Sequence, residues 1–249
     1  VYVVPSFEGL TVSKFLSVVM DAMGQLFYSI SVAMGIMIAY GSYVKKDNNI
    51  VSSVTQIAFF DTGIAFVAGL MVIPAVFAFL GEDSLSAGPG LIFITLPKVF
   101  NSMTGGAFIG AAFFLLVFFA ALTSAISLME AVVASIQDKF RATRKSALSV
   151  TIVISLILGA LSSMGNGVLG NIKIMGMDFL SFFDYISNSV MMPIVAICTC
   201  IFVGYFLKPQ ALIDEIEISG PFKAKSIFIL SIKYFAPVCI GIILISQFV

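Results

Sequence analysis

Apolar residues gather into six long blocks separated by short polar connections, at about 18–44, 54–80, 105–137, 146–166, 179–207 and 226–248. Crossing a hydrocarbon core about 30 Å thick takes about 20 helical residues, and each block is long enough. Backbone groups in lipid must be satisfied within their own segment, so each block predicts a helix. The expected fold class is an all-α polytopic membrane protein, with residues 1–249 forming one transmembrane domain. The connection 81–104 is the longest, with Gly88, Pro89 and Gly90 followed by the apolar run 91–96 and Pro97. A re-entrant helix and an ordinary amphipathic surface helix both fit it. The connection holding Asp214, Glu215 and Glu217 reads as a solvated turn, and no internal repeat is visible.

Composition removes the soluble alternative. The 249 residues are 60% hydrophobic and 10% charged, with a mean hydropathy of +1.12, against roughly one-quarter charged in soluble domains. Thirteen basic and 13 acidic residues cancel, which leaves no basic surface for nucleic acid. The absence of histidine argues against a zinc or Ser-His site, and with no paired in-membrane Asp motif and no Gly-x-Ser-x-Gly an intramembrane protease is disfavoured. The expectation is not an enzyme. Cys198, Cys200 and Cys239 lie in apolar blocks and read as buried reduced thiols.

Charge also orients the chain. Lys45, Lys46, Lys139, Arg141, Arg144, Lys145, Lys208, Lys223 and Lys225 fall on one side, against Lys14, Lys98 and Lys173 on the other. Basic residues near span ends favour the cytoplasm, so both ends of this chain are expected outside. The chain opens at Val1 without a signal peptide and reads as a piece of a longer protein.

Polar groups inside the blocks are costly and therefore informative. The first block carries Asp21, Gln25, Ser29, Ser31, Gly35, Tyr40 and Tyr43. Ser29 and Ser31, two apart, point in different directions on a regular helix. A break near Ala33 to Gly35 would let both hydroxyls and freed carbonyls line one cavity. Serines bonded back to their own helix are the alternative. Asp61, just inside the second block, needs a bound cation such as sodium or must take up a proton. Thr123 and Ser124, after the small Ala120 and Ala121, offer adjacent hydroxyl oxygens of the kind a hard cation wants. Close helix packing through small residues competes with that reading.

Together these stretches resemble the neurotransmitter:sodium symporter family, in particular bacterial amino-acid transporters of the LeuT and MhsT kind. The segment DAMGQLFYSISVAMGIMIAYGSYVKKDNNIV at 21–51 is similar to the family's sixth helix and following loop, and FFAALTSAISLMEAVVASIQDKF at 118–140 to its eighth. VPSFEGL at 4–10 resembles the outer loop before the sixth helix, and DYISNSVMMP at 184–193 the tenth. The resemblance covers the whole chain as helices six to eleven. It implies the second half of a five-plus-five inverted-repeat fold plus one further helix, with the first five helices of the same protein as missing partners.

The resemblance further implies a multi-pass protein of the bacterial plasma membrane that carries out sodium-coupled symport of hydrophobic or aromatic amino acids by alternating access. This chain alone is expected to be inactive. Tyr28 and Ser29 carbonyls and the Ser31 hydroxyl would receive the substrate ammonium, and Met34, Ser124 and Leu128 would shape the side-chain pocket. Ser29 and Asp61 would hold one sodium; the Ala120 carbonyl with the Thr123 and Ser124 hydroxyls would hold a second. Gln25 and Asp184 resemble the outer gate, and Tyr43 with Asp138 the inner gate. Two positions depart from the family. Many members have Asn where this chain has Asp61, whose extra negative charge implies no chloride requirement, and Ala33 stands where bacterial relatives often have Gly. A proton-coupled amino-acid carrier and a non-transporting membrane assembly module are the alternatives.

Overall fold

The computed structural model describes residues 11–31, 33–80, 91–165 and 167–246; the expectations for VPSFEGL and for 81–90 lie outside them. Among the described residues the regular structure is helical, apart from one isolated bridge between Ile174 and Met177. The α-helices are α1 (Val12–Ser29), α2 (Ile36–Gly41), α3 (Ile50–Leu80), α4 (Leu96–Ser102), α5 (Gly106–Phe140), α6 (Arg144–Gly165), α7 (Phe179–Asp184), α8 (Met192–Ile201), α9 (Pro209–Glu217), α10 (Lys225–Leu230) and α11 (Ala236–Ser246). Wider π turns at Tyr185–Met191, Phe202–Leu207 and Ser231–Phe235 join neighbouring helices, so Phe179–Leu207 and Lys225–Ser246 each run as one span.

Short polar side chains start several helices by accepting an otherwise orphaned N–H. Thr11 Oγ1 accepts from Lys14 N–H at 3.3 Å before α1, and Asn49 Oδ1 from Ser52 N–H at 2.8 Å before α3. Thr143 does the same for Ser146 before α6 at 3.4 Å, and Asp178 for Ser181 in α7 at 3.4 Å.

Five helical stretches among the described residues are long and apolar enough to cross a membrane: Ile50–Ala78, Gly106–Phe140, Arg144–Gly165, Phe179–Leu207 and Lys225–Ser246. At most 22% of the most apolar window of any of them is buried. Phe108 is 81% exposed and Phe59 72%. Helices apolar on every face are stable where lipid rather than water surrounds them, and the chain is a multi-pass membrane protein. The first apolar block differs from the other five because it does not form one continuous helix. It is cut into α1 and α2, with Ser31, Ala33 and Gly35 all at positive φ (56°, 67° and 79°).

The chain divides into two units, residues 1–15 with 55–126 and residues 16–54 with 127–249. In the first, Val76, Leu96 and Val99 form the core, with Val72, Ala75, Leu91, Phe100, Met103 and Phe113 packed around them. The apolar helix Leu91–Ser102, within the described part of the long connection 81–104, is held here by close approach. A Cβ on Gly106 would lie 1.6 Å from the Phe100 carbonyl oxygen, so only glycine fits. In the second unit, Ile36 and Ala39 of α2 pack on Ala131 of α5, with Met34 against them. Gly165 ends α6 against Phe179, whose side chain leaves 3.0 Å for a Cβ. The three cysteines are free thiols, but Cys198 is exposed and the other two are only half-buried.

Candidate functional site

The break between α1 and α2 places the first set of polar groups. Ile30 N–H still bonds the Leu26 carbonyl at 3.1 Å, and Ser31 N–H turns back to the Tyr28 carbonyl at 3.0 Å. Regular hydrogen bonding resumes when Ala39 N–H reaches the Gly35 carbonyl at 2.9 Å. A left-handed residue costs about 1–2 kcal/mol with a Cβ and little for glycine. Ser31 and Ala33 therefore carry strain that Gly35 does not, and strain of this kind collects at functional sites. The outcome is a helix C-terminus at Tyr28 and Ser29, where the regular i→i−4 pattern gives way to the tighter Ser31-to-Tyr28 turn, with the Ser31 hydroxyl just beyond.

Tyr28 also lines a cleft of about 380 Å³ with Asp21, Gln25, Asp184, Asn188 and Met192. The two residues expected at the outer gate, Gln25 and Asp184, thus share one cavity. Asp184 is oriented by Asn188, whose Nδ2 donates to its Oδ1 at 2.5 Å from one turn further along. Met34 faces another cleft, lined by Gly35, Ala131, Val132, Ser135 and Lys139.

At the far end of α2, Tyr43 meets Glu130 rather than Asp138. Its hydroxyl donates to Glu130 Oε1 at 2.7 Å, and Arg144 grips the same carboxylate with Nη1 to Oε1 at 3.0 Å and Nη2 to Oε2 at 2.6 Å. Tyr40 bonds Ser127 in the same way one turn earlier. These two contacts set α2 level with Ser127 and Glu130, and Asp138 lies eight residues further along α5, about 12 Å at 1.5 Å per residue. The sequence reading missed Glu130 and Arg144 as a pair. Their signal was present, since Glu130 is the one charged residue in the stretch 106–137.

Of the other predicted residues, Asp61, Ala120, Thr123 and Ser124 belong to the first unit. Asp61 is half-buried within α3. Ala120, Thr123 and Ser124 sit mid-way along the unbroken α5, where Thr123 Oγ1 donates to the Ala120 carbonyl at 3.0 Å. This bond draws two of the three expected sodium ligands together. Leu128, in the second unit, follows Ser124 by four residues, one turn along the same helix face.

Comparison with known proteins places the chain in a family. The sodium:neurotransmitter symporter family profile matches residues 1–249. An uncharacterized sodium-dependent transporter of Haemophilus influenzae is 32% identical over 99% of this chain and 52% of its own length. One from Bacillus subtilis is 29% identical over 98% of this chain and 53% of its own. The crystal structure of MhsT in complex with L-phenylalanine superposes with a TM-score of 0.85 at 36% identity, covering 98% of this chain and 54% of that one. The chain spans about half the length of these relatives. It belongs to the sodium:neurotransmitter symporter family.

Proposed function

We propose that this chain supplies half of the binding machinery of a sodium-coupled symporter for hydrophobic or aromatic amino acids. The observation that carries the reading is the break between α1 and α2, where an apolar block is cut beside Ser29 and Ser31, with Ser31, Ala33 and Gly35 at positive φ. Carbonyl oxygens at the end of α1 form the negative pole of that helix, which favours a cation. A substrate ammonium at Tyr28 and Ser29, hydrogen-bonded by Ser31, follows from that polarity. The apolar side chains of Met34 and Leu128 fit an apolar substrate, and the MhsT relative is described with L-phenylalanine bound.

Asp61 with Ser29 holds one sodium in this reading, and Ala120, Thr123 and Ser124 hold a second. Carboxylate, carbonyl and hydroxyl oxygens match a hard cation. The fixed negative charge of Asp61 makes chloride unnecessary. Asp184 with Gln25 and the Tyr43–Glu130–Arg144 group close the two ends alternately. The remaining ligands come from helices beyond these residues, and this chain alone does not transport.

The test is uptake by the full-length gene product in proteoliposomes with an inward sodium gradient. Saturable uptake of phenylalanine or leucine that disappears when choline replaces sodium, and is indifferent to chloride, is expected. Uptake that persists without sodium under a pH gradient would replace this reading with proton coupling. Binding of no amino acid in either condition would leave a membrane assembly module.

A further inference from the structure

The last span contains one charge that the proposed transport cycle does not use. Lys233 is the single charged residue between Ser226 and Ser246, and an ionisable group within a span needs a reason to be there. It lines a cleft of about 360 Å³ with Gly204, Tyr205, Lys208, Gln210 and Ile229. The Lys233 ammonium lies 5.8 Å from the centroid of the Tyr205 ring, and the Tyr205 hydroxyl donates to the Lys233 carbonyl at 3.2 Å. Gly204 lets the lysine stem lie close, since a Cβ there would be 3.4 Å from Lys233 Cγ.

Three features make this a built site. Among the described residues neither Lys208 nor Lys233 has a carboxylate at ion-pair distance, while Glu130 and Glu217 do have basic partners. The nearby Asp214 is taken by Gln210, whose Nε2 donates to its Oδ1 at 2.7 Å. The cleft is also flanked on both sides by π turns, Phe202–Leu207 carrying Tyr205 and Ser231–Phe235 carrying Lys233, and π turns inside helices are frequent at functional sites. Finally, Lys208 itself is held at φ 68° without being glycine, a conformation that surrounding structure must enforce.

We propose that this cleft binds the phosphate of an anionic phospholipid headgroup, with Lys208 and Lys233 as its two cationic ligands. Lys208 lies just past the end of the span Phe179–Leu207, and the long Lys233 stem can reach along apolar surface from within its own span to put its charge toward the same end, where headgroups would be met. Two cations without carboxylate partners prefer a net negative lipid to a zwitterionic one. The proposal needs the membrane fold but not the identity of the transported substrate.

Native mass spectrometry of the full-length gene product, titrated with phosphatidylglycerol, phosphatidylcholine and inorganic phosphate, tests it. Phosphatidylglycerol is expected to be retained preferentially. Lys208→Gln and Lys233→Gln are each expected to weaken it about fivefold, while Lys233→Arg and the distant Lys46→Gln leave it unchanged. Displacement by inorganic phosphate would support the anion site with a soluble phosphate as an equal occupant; no displacement would assign the lipid. Equal retention of both lipids would overturn the proposal, as would unchanged binding in Lys208→Gln, an exposed position whose variant does not depend on the packing around Lys233.

Discussion

Two stretches of this chain place hydroxyl groups inside apolar blocks and treat the backbone in opposite ways. Between Ile30 and Gly35 the helix stops, three residues turn left-handed, and the regular bonding that ends α1 resumes only at α2. Along α5 the helix runs unbroken for 35 residues, and Thr123 returns its hydroxyl to the Ala120 carbonyl. The first arrangement spends backbone strain to expose oxygen. The second keeps every helical bond and adds a side-chain oxygen beside a carbonyl that retains a lone pair. A broken helix can accept a larger group such as an ammonium with its substituents, whereas an unbroken one presents a compact pair of oxygens suited to a bare ion.

Substitutions can break or sharpen this contrast. The largest effect is expected from Asp61→Ala, which removes the carboxylate from the proposed sodium site and should weaken sodium activation of uptake about 100-fold. Thr123→Val should weaken sodium about tenfold while leaving amino-acid affinity at saturating sodium unchanged, because the break is untouched. A matching loss of substrate affinity would merge the two regions into one site. Ala33→Gly acts on the other side of the contrast. It should remove about 1 kcal/mol of left-handed strain, read as a higher thermal midpoint; a lower midpoint would show that the Ala33 methyl contributes packing.

Glu130→Gln should raise the reactivity of a cysteine introduced at Ser42 toward a membrane-impermeant thiol reagent, and Asp138→Asn should not, since Tyr43 bonds Glu130. The smallest effect concerns the loop between the last two spans. Lys225 Nζ donates to Glu217 Oε2 at 2.6 Å, and this hydrogen bond, opposed by partial desolvation and helped by the Phe222 N–H, holds the carboxyl below its ordinary value. A depressed folded-state pKa means the contact contributes at neutral pH and is lost as acidification protonates Glu217. Amide exchange around Phe222 should therefore rise modestly on acidification beyond the intrinsic pH trend, and the pH-dependent rise should vanish in Glu217→Gln.

The break was legible from residue chemistry, because Ser29, Ser31 and Gly35 make little sense on a lipid-facing helix. The conformation of Ala33 was not legible, since alanine favours a right-handed helix and only its neighbours force it elsewhere. Glu130 was hidden by being read as one residue of an apolar block, and its partner Arg144 by being counted only as a loop charge. The π turns left no trace either, because a shift in backbone hydrogen-bond register inside a uniformly apolar run changes no periodicity that hydrophobicity can report. Asp184 and Gln25 were placed at the outer gate by resemblance, and the fold puts both on one cleft.

Tyr40 in α2 and Tyr43, two residues past its end, reach Ser127 and Glu130 of α5 with the same offset of 87 residues. A shared offset means that one axial register satisfies both hydroxyls at once; three residues further along α5, about 4.5 Å, Tyr43 would stand opposite Val133, which offers no side-chain acceptor. The two tyrosines therefore index where this segment stands along α5.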